Sequence, residues 1–487
     1  MDTTRNRFRT LLPAAVAAAA LVAALAAPPP SAAQNFASYV SIGDSLAAGV
    51  VNIGLVDDAQ ERSVPALIAR QAGVGQFDMP LVSDPGIPPL LAITGFNGAT
   101  PVIAPRSGTP GSPLNLNLPR PYDNLAVYGF DVHDVVATVT GNAVIDLVLR
   151  GQGTALQQAA VQQPTFATVW IGNNDVLGAA TSGIVVDGVT LTPVASFRAD
   201  LRTILGTLSG VGAQLAVATL PNVTAIPFVN TVPPMLVNPA TGQPVIGPNG
   251  QPIPLIGPNG PLGSGDRVLL SATGLLAQGI GIPVPFGGTG QPLPDSAVLS
   301  TGEVATIQAR TSALNTEIRR AASDFGAALV PIDSFFDQIV ARGYPVGGGI
   351  TLTTAFLTGG IFSYDGVHPT PLGYAVVANL WIDSINERFG GSIPHVDLLP
   401  FLFGPDGSAG GTIELPGLGE GTPIFSAAAY EALRLGLRTP KIEELMRIKE
   451  RREKRAAPAP PGGGLTPSRP AAPSRPALSG DRAGGRG

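Results

Sequence analysis

Five short apolar segments alternate with stretches of helical periodicity, and this alternation restricts the fold more than any other feature of the sequence. The apolar segments are rich in Val, Ala, Ile and Leu and end at Gly, Pro or polar residues. They are 36–42, 124–128, 166–171, 214–220 and 327–332. Segments of this kind are typical of strands that are buried on both faces of a parallel sheet.

The stretches between these segments have the three- and four-residue spacing of apolar residues that is typical of amphipathic helices. They are 61–72, 196–208, 303–325, 335–342 and 372–389. The clearest is 303–325, because Ser300 and Glu303 have the spacing of a capping box at its start. Strands that alternate with helices predict an α/β fold, in which helices cover both faces of an open, mostly parallel sheet.

Three insertions lengthen this plan, at 50–120, 221–300 and 343–364. The second contains Ile-Gly-Pro-Asn-Gly twice, at 246–250 and 256–260. Pro-Asn-Gly favours tight turns, so we expect two turns joined by short extended pieces. The insertion follows a strand whose carboxyl end lies at the predicted site, and it forms either a lid over that site or a surface flap.

The N-terminal segment has the three parts of a secretory signal peptide. Arginines precede an apolar run from 11 to 27, and small residues stand at 31–33. We expect 1–33 to be a signal peptide that is cleaved after Ala33, which predicts a secreted or periplasmic protein. An uncleaved membrane anchor is the alternative, although the apolar run is short for a span.

The composition changes after residue 390. We expect one folded domain over 34–390, a Gly- and Pro-rich linker over 391–425, a helical segment over 426–455 and a disordered basic tail over 456–487. The basic tail could make weak contact with an anionic surface. A solvated extension is the alternative interpretation of the same residues.

Composition also excludes several classes of chemistry. The chain has no Cys, which rules out disulfides, thiolate metal sites and a cysteine nucleophile. It has three His, too few for a His-rich metal site, so we expect no metal and no cofactor. The formal net charge of −5 combines an acidic body with a basic C-terminal segment, and an acidic body disfavours nucleic acid as a partner.

The first polar motif at a strand end is Ile42-Gly43-Asp44-Ser45-Leu46. Open parallel sheets place their sites at the carboxyl ends of strands, and Gly43 permits a tight turn there. A helical turn after it would direct free backbone N–H groups at a reacting centre. Ser45 is therefore a candidate nucleophile, and an ordinary polar turn is the alternative.

The second motif is Asp365-Gly366-Val367-His368-Pro369. A serine hydroxyl needs a base to take its proton, and an imidazole, with an ordinary pKa of about 6.5, suits that role. The imidazole needs a carboxylate that holds its tautomer and stabilises the imidazolium. Asp365 lies three residues before His368 and can reach the other ring nitrogen. A capped helix start with an incidental histidine is the alternative.

Two further strand ends offer hydrogen-bond donors for a developing oxyanion. Asn173 and Asn174 follow the segment 166–171, and either amide could donate without carrying charge. Gly129 follows the segment 124–128, where a glycine could bring its backbone N–H close to the same oxygen. An Asn-rich turn and an unrelated Gly are the alternatives.

In combination, these blocks resemble the GDSL, or SGNH, hydrolase family over about 36–389. They read Gly43-Asp44-Ser45-Leu46, Gly129, Gly172-x-Asn174-Asp175 and Asp365-x-x-His368. The resemblance implies a three-layer α/β/α, flavodoxin-like fold with long insertions. It implies that Ser45 is the nucleophile and that His368 is a general base oriented by Asp365. It also implies an oxyanion hole made of the N–H groups of Ser45 and Gly129 and the side chain of Asn174.

The resemblance predicts a secreted esterase or lipase that hydrolyses small-molecule or lipid carboxylic esters through an acyl-serine intermediate. A carbohydrate O-acetylesterase with the same residues is one alternative. A non-catalytic secreted binding or surface protein is an alternative of another class. The chain has neither the Gly-x-Ser-x-Gly elbow of α/β-hydrolases nor a P-loop.

Overall fold

The structure, a computed structural model, describes residues 33–97, 100–238, 241–403 and 424–436. All of these residues fall within one structural unit, Met1–Glu443. Almost all of the predicted signal peptide, much of the predicted linker and the predicted basic tail lie outside the described residues.

The strands and helices follow one another in a mixed order along the chain. The strands are β1 (Tyr39–Gly43), β2 (Leu91–Asn97), β3 (Thr100–Pro105), β4 (Phe166–Trp170), β5 (Gln214–Ala218), β6 (Ile256–Gly257), β7 (Gly260–Pro261), β8 (Arg267–Val268), β9 (Val298–Leu299), β10 (Ala328–Val330), β11 (Tyr344–Gly347), β12 (Ile350–Leu352) and β13 (Ile424–Phe425). The helices are α1 (Ser45–Ala48), α2 (Asp57–Gln60), α3 (Val64–Gln71), α4 (Asp134–Ala137), α5 (Ala143–Leu149), α6 (Ala155–Val161), α7 (Asn174–Ser182), α8 (Val194–Gly210), α9 (Pro227–Asn230), α10 (Thr273–Ala277), α11 (Thr301–Asp324), α12 (Ile332–Arg342), α13 (Pro371–Phe389), α14 (Leu399–Phe403) and α15 (Ala427–Gly436). Short 3-10 helices lie at Leu270–Ala272, Val284–Phe286 and Asp295–Ala297.

The central sheet is parallel and has the spatial order β1-β4-β5-β10. On the free side of β1, the segment 123–127 runs parallel to it. The N–H of Leu125 donates to Ser41 O at 2.8 Å, and the N–H of Val127 donates to Gly43 O at 3.0 Å. The spatial order across the sheet is then segment 123–127, β1, β4, β5 and β10. If these five are numbered by their sequence in the chain, the order is 2-1-3-4-5, which is the flavodoxin-like order.

Side chains of the central strands alternate between two cores. Val40 and Ile42 of β1 lie in the larger core, together with residues of α5, α6, α8 and α11. Tyr39 points to the other face and lies in a second core with residues of α3 and α13. The sheet is therefore covered by helices on both faces, and the predicted three-layer α/β/α arrangement is confirmed.

Most of the predicted elements are confirmed with small shifts at their ends. Four of the predicted strands appear as β1, β4, β5 and β10, and the predicted helices appear as α3, α8, α11, α12 and α13. The predicted capping box is present at the start of α11. The Ser300 side chain accepts from the Glu303 N–H, and the Glu303 side chain accepts from the Ser300 N–H.

The prediction of a regular strand at 124–128 is wrong, although the segment lies where that strand was expected. Only Asn124 forms a bridge, with Ser41. Its side chain donates to Ala47 O at 3.0 Å and accepts from the Ala126 N–H at 3.1 Å. Such local side-chain bonds offer the backbone an alternative to a regular ladder.

The insertions form small antiparallel units beside the main sheet. The insertion 50–120 contains the hairpin of β2 and β3, to which β13 adds in parallel. The insertion 221–300 contains both predicted turns. One is closed by the bridge between Ile246 and Pro252, and the other is the hairpin of β6 and β7. The insertion 343–364 contains the hairpin of β11 and β12.

Helix α15 lies within the predicted helical segment 426–455, and the rest of that segment after residue 436 lies outside the described residues. Within the described ranges, no helix has both the length and the apolar character that are needed to cross a bilayer.

Candidate active site

Ser45 lies at the carboxyl end of the central strand β1 and is the first residue of α1. The turn before it requires a glycine. A Cβ at Gly43 would lie 2.5 Å from the Ala47 Cβ and 2.7 Å from Trp170 O. The Asp44 side chain caps α1 by accepting from the Leu46 N–H at 3.0 Å. Ser45 is 3% exposed, so the candidate nucleophile lies below the surface.

Asp44 links the Ser45 turn to the end of β4. Its second carboxylate oxygen accepts from Asn173 Nδ2 at 2.8 Å, and both residues are buried. Burial raises the pKa of Asp44 from 3.8 to about 6. The hydrogen bonds from Asn173 and Leu46 and the positive charge of His368 oppose this rise.

Asp365 and His368 form a buried pair on the loop before α13. His368 Nδ1 lies 2.8 Å from Asp365 Oδ2, and the two side chains are 1% and 0% exposed. Asp365 Oδ1 accepts from the N–H groups of Val367 and His368, each at 2.8 Å. The carboxylate thus fixes both the ring and the backbone of the loop. The predicted reach from Asp365 back to His368 is present.

The hydrogen bonds around Asp365 keep its carboxylate ionised in spite of burial. Burial by itself would raise the pKa of Asp365. The charge of His368 and the hydrogen bonds from His368 and Val367 outweigh burial and hold the pKa below its ordinary value. An ionised carboxylate at Nδ1 is the arrangement that leaves Nε2 free to accept a proton.

A turn of the first insertion also contacts Asp365. The N–H of Ile53 donates to Asp365 Oδ2 at 2.7 Å, which is the oxygen that binds the imidazole. Ile53 has φ +70° and is fully buried. A left-handed backbone at a β-branched residue costs on the order of 1–3 kcal/mol and is found mostly at functional sites.

Two tyrosines line the region around the imidazole. The Tyr128 ring meets the His368 ring edge to face, with centroids 5.6 Å apart and an interplanar angle of 85°. The Tyr128 hydroxyl is buried and has no hydrogen-bond partner among the described residues. Burial and the charge of Asp365 raise the pKa of Tyr128 well above its ordinary value. Tyr374 on α13 donates to Val50 O at 2.7 Å.

Two of the predicted oxyanion donors follow the two segments that flank β1, which are 123–127 on one side and β4 on the other. Gly129 has φ +86°, and a Cβ placed on it would meet no atom within 4 Å, so open space adjoins this backbone. Asn174 begins α7, and its Nδ2 donates to Phe130 O at 2.9 Å. The amide nitrogen carries a second hydrogen that can serve an oxyanion. Ser45 would add the third N–H from the first turn of α1.

The two asparagines after β4 therefore have different positions. Asn173 is 4% exposed and is bonded to Asp44, whereas Asn174 is partly exposed and lies beside the backbone that follows Gly129. This difference supports Asn174 as the donor to substrate and gives Asn173 the role of holding the Asp44 turn.

Not every predicted contact is formed. The Ser45 hydroxyl makes no hydrogen bond to the imidazole in the described part of the chain. Such bonds are often long without substrate and shorten when it binds. The other histidines pair elsewhere, His133 with Asp200 at 3.1 Å and His395 with Asp383 at 2.6 Å, and both are largely exposed.

A family comparison agrees with this architecture. The model of the family described as GDSL-like Lipase/Acylhydrolase matches residues 39–381, which is more than half of the chain. The chain belongs to the GDSL-like lipase/acylhydrolase family. As a member of this family, it is a carboxylic ester hydrolase, and its substrates are small-molecule esters. No curated protein sequence gives a significant match.

Solved structures of distant GDSL-type and other esterases resemble the chain at low similarity. A lipase/acylhydrolase from Enterococcus faecalis has a TM-score of 0.30 and 12% identity, with 74% of this chain and 99% of that chain covered. A variant of Axe2, an acetylxylan esterase from Geobacillus stearothermophilus, has a TM-score of 0.35 and 10% identity, with 74% and 99% covered. The esterase EstA from Pseudoalteromonas sp. has a TM-score of 0.30 and 12% identity, with 72% and 99% covered.

Sequence reasoning missed several residues of the site. Asp44 stands at an N-cap position, and its type is a signal for that role. Tyr128 adjoins the predicted Gly129 and could have been included with it. Asn52 and Ile53 lie more than 300 residues from the Asp365 loop, and their contact with it has no local signal in the sequence.

Proposed function

We propose that the protein is a serine esterase in which Ser45 is the nucleophile, His368 the general base and Asp365 the residue that orients it. The observation that carries this proposal is the buried Asp365–His368 pair, at 2.8 Å, whose neighbours Val367 and Pro369 line the same cavity as Leu46, the residue after Ser45. A buried carboxylate that is bonded to one imidazole nitrogen prepares the other nitrogen to take a hydroxyl proton.

The reaction has two steps. His368 takes the Ser45 proton while the oxygen attacks the ester carbonyl, and the N–H groups of Ser45 and Gly129 with the Asn174 amide hold the oxyanion. The imidazolium then protonates the leaving alcohol, which leaves an acyl-serine. Water activated by His368 attacks the acyl-serine in the same way, and the acid is released.

A small apolar cavity beside these residues supports an aliphatic ester as substrate. Its volume is about 70 Å³, and its walls include Leu46, which follows the nucleophile, and Val367 and Pro369, which flank His368. The rest of its lining is also apolar apart from Gly373 and includes Trp170, Ile226, Phe336, Ile339, Phe362 and Val377. An apolar cavity of about 150 Å³ holds a benzene ring, so this one suits a short alkyl chain.

We also propose secretion, because the first 33 residues have the charge, length and small-residue pattern of a cleaved signal peptide. Mass spectrometry of the N-terminus of the exported protein tests this. A mature chain that begins at Gln34 supports the proposal, and a protein that keeps its first residues in the membrane contradicts it.

The experiment that tests the proposed chemistry is a panel of aryl esters from acetate to octanoate, with acetylated xylan beside them, assayed with wild type and Ser45→Ala. We expect turnover of the short aliphatic esters, which falls with longer chains, and loss of turnover in the variant. A preference for acetylated xylan would favour the sugar deacetylase.

Covalent labelling separates the enzyme from a non-catalytic binding protein. A fluorophosphonate should label the wild type at Ser45, and Ser45→Ala should not be labelled. Labelling of a different serine, or full esterase activity in Ser45→Ala, would overturn the assignment of the nucleophile.

A further inference from the structure

The turn at Val51–Gly54 has an unusual sequence for its shape. Val51 and Gly54 exchange two backbone hydrogen bonds of 3.0 Å, and both central residues are left-handed, with φ +49° at Asn52 and +70° at Ile53. Turns with two left-handed central residues favour Asn-Gly, because glycine has no Cβ to clash. Asn52 follows this preference, whereas the second central residue is a β-branched isoleucine.

The turn contacts three consecutive residues of the Asp365 loop. The Asn52 N–H donates to Ser363 Oγ at 3.0 Å, and the Asn52 side chain accepts from the Tyr364 N–H at 2.7 Å. The Ile53 N–H donates to Asp365 Oδ2 at 2.7 Å. All three contacts are directed at the segment that carries the carboxylate.

We propose that the Asn52-Ile53 turn is a positioning element, which fixes Asp365 against His368 and so aligns the base. This inference rests on the proposed roles of Asp365 and His368. The direction of the Ile53 N–H depends on the ψ angle of Asn52 and the φ angle of Ile53. A right-handed turn would move that N–H away from the carboxylate oxygen.

The contact with the carboxylate explains why the strained conformation is kept. Asp365 Oδ2 accepts from both His368 Nδ1 and the Ile53 N–H, so the turn sets the lateral position of the oxygen that orients the ring. The burial of the Ile53 side chain holds the turn in place. The last residue of the turn, Gly54, packs directly against the backbone of Pro88. A Cβ at Gly54 would lie only 2.3 Å from Pro88 O, so this position requires glycine.

Asn52→Ala and Asn52→Gly test the proposal. Asn52→Gly removes the side chain that accepts from the Tyr364 N–H, but glycine readily adopts the left-handed conformation. Asn52→Ala removes the same acceptor and also disfavours the left-handed conformation. We expect kcat for a short aryl ester to fall about 10- to 100-fold in Asn52→Ala and several-fold in Asn52→Gly, with KM nearly unchanged. The graded loss arises because a displaced Asp365 stabilises the imidazolium less well.

The pH profile of kcat/KM provides the readout that a purely structural turn would not change. The groups that face the imidazole are Asp365, Asp44 and Tyr128, with Tyr374 beside them. A weaker carboxylate contact should shift the acid limb of the profile to lower pH in Asn52→Ala. The proposal would be overturned if Asn52→Ala lowered the melting temperature but left kcat and the pH profile of kcat/KM unchanged.

Gln163→Ala is the matched control, because Gln163 is also left-handed, with φ +47°, and lies exposed at the end of α6. It should lower the melting temperature without changing kcat. If Asn52→Ala does not fold, the kcat of Asn52→Gly decides, and a value within two-fold of wild type contradicts the proposal. Failure of the proposed function itself would appear separately, as retained activity in Ser45→Ala.

Discussion

The two halves of the candidate site are held in different ways. Ser45 and Asn174 each begin a helix that follows a strand of the central sheet, so regular elements fix their positions. Asp365 and His368 lie on an irregular loop, which is held by its own hydrogen bonds and by a turn from the first insertion. We refer to these as the sheet half and the loop half.

The difference shows where the first insertion contributes to the geometry of the candidate site. The sheet half needs only the local sequence around two strand ends, because backbone pairing sets its geometry. The loop half has no ladder to fix it, and the first insertion supplies hydrogen bonds across more than 300 residues. We therefore expect the insertion 50–120 to be more sensitive to substitution near Asn52 than elsewhere.

The strongest test of the comparison asks whether both halves are equally essential. We expect His368→Ala and Ser45→Ala each to lower kcat about 10⁵-fold or more, because each removes a member of one proton-transfer unit. The double variant should be no worse than either single one. Single-turnover assays measure these losses, and a double variant with multiplied losses would show that the halves act independently.

The next test concerns the donor on the sheet half. We expect Asn174→Ala to lower kcat about 10²- to 10³-fold with little change in KM, because the oxyanion contact forms only in the transition state. Asn173→Ala serves as the comparison and should mainly lower stability, since its amide is bonded to Asp44. The reverse result, a larger kcat loss in Asn173→Ala, would exchange the two assignments.

A third test uses Asp44, which joins the Ser45 turn to the end of β4 within the sheet half. Its pKa is raised from 3.8 to about 6 in the folded protein, so the fold holds this proton more tightly and loses stability as pH rises through 4–6. At about 1.4 kcal/mol per unit, we expect Asp44→Asn to gain roughly 3 kcal/mol over wild type above pH 6 and almost nothing below pH 4. The Asn173 amide can rotate to present its oxygen, which has no partner among the described residues.

Urea unfolding from pH 4 to pH 8 measures this difference. Asp146→Asn is a control of opposite sign, because hydrogen bonds from Thr140 and Gly141 lower the pKa of Asp146. That carboxylate stabilises the fold above its unfolded pKa, and the stabilisation is lost as the pH falls. A constant difference between Asp44→Asn and wild type over the whole range would show that Asp44 does not titrate near pH 6.

The smallest expected effect concerns Tyr128, between the two halves. Tyr128→Phe keeps the ring against His368 and removes a buried hydroxyl that has no hydrogen-bond partner among the described residues, so we expect a stability change within about 1 kcal/mol and kcat close to wild type. Tyr128→Leu removes the edge-to-face contact, worth about 0.5–1.5 kcal/mol, and should lower kcat several-fold. Equal losses in both variants would mean that the hydroxyl, not the ring, supports the imidazole.

The local sequence was sufficient to predict the layers of the fold and most of its elements. Apolar runs identified four of the strands because strands buried on both faces must be continuous in apolar residues. Ser300 and Glu303 predicted the start of α11, since a cap depends on residues only three positions apart. The error at 124–128 arose because the Asn124 side chain competes with the ladder, and composition does not report that competition.

The sequence alone determined the set of candidate site residues, the order of their blocks and the layered fold, because these depend on residue type and on neighbours within a few positions. The tertiary structure alone decided that Asn173 is bonded to Asp44, whereas Asn174 is bonded to the Phe130 carbonyl next to Gly129. It also decided that the Asn52-Ile53 turn contacts Asp365. Contacts between distant parts of a chain follow from how whole elements pack, and no local pattern encodes them.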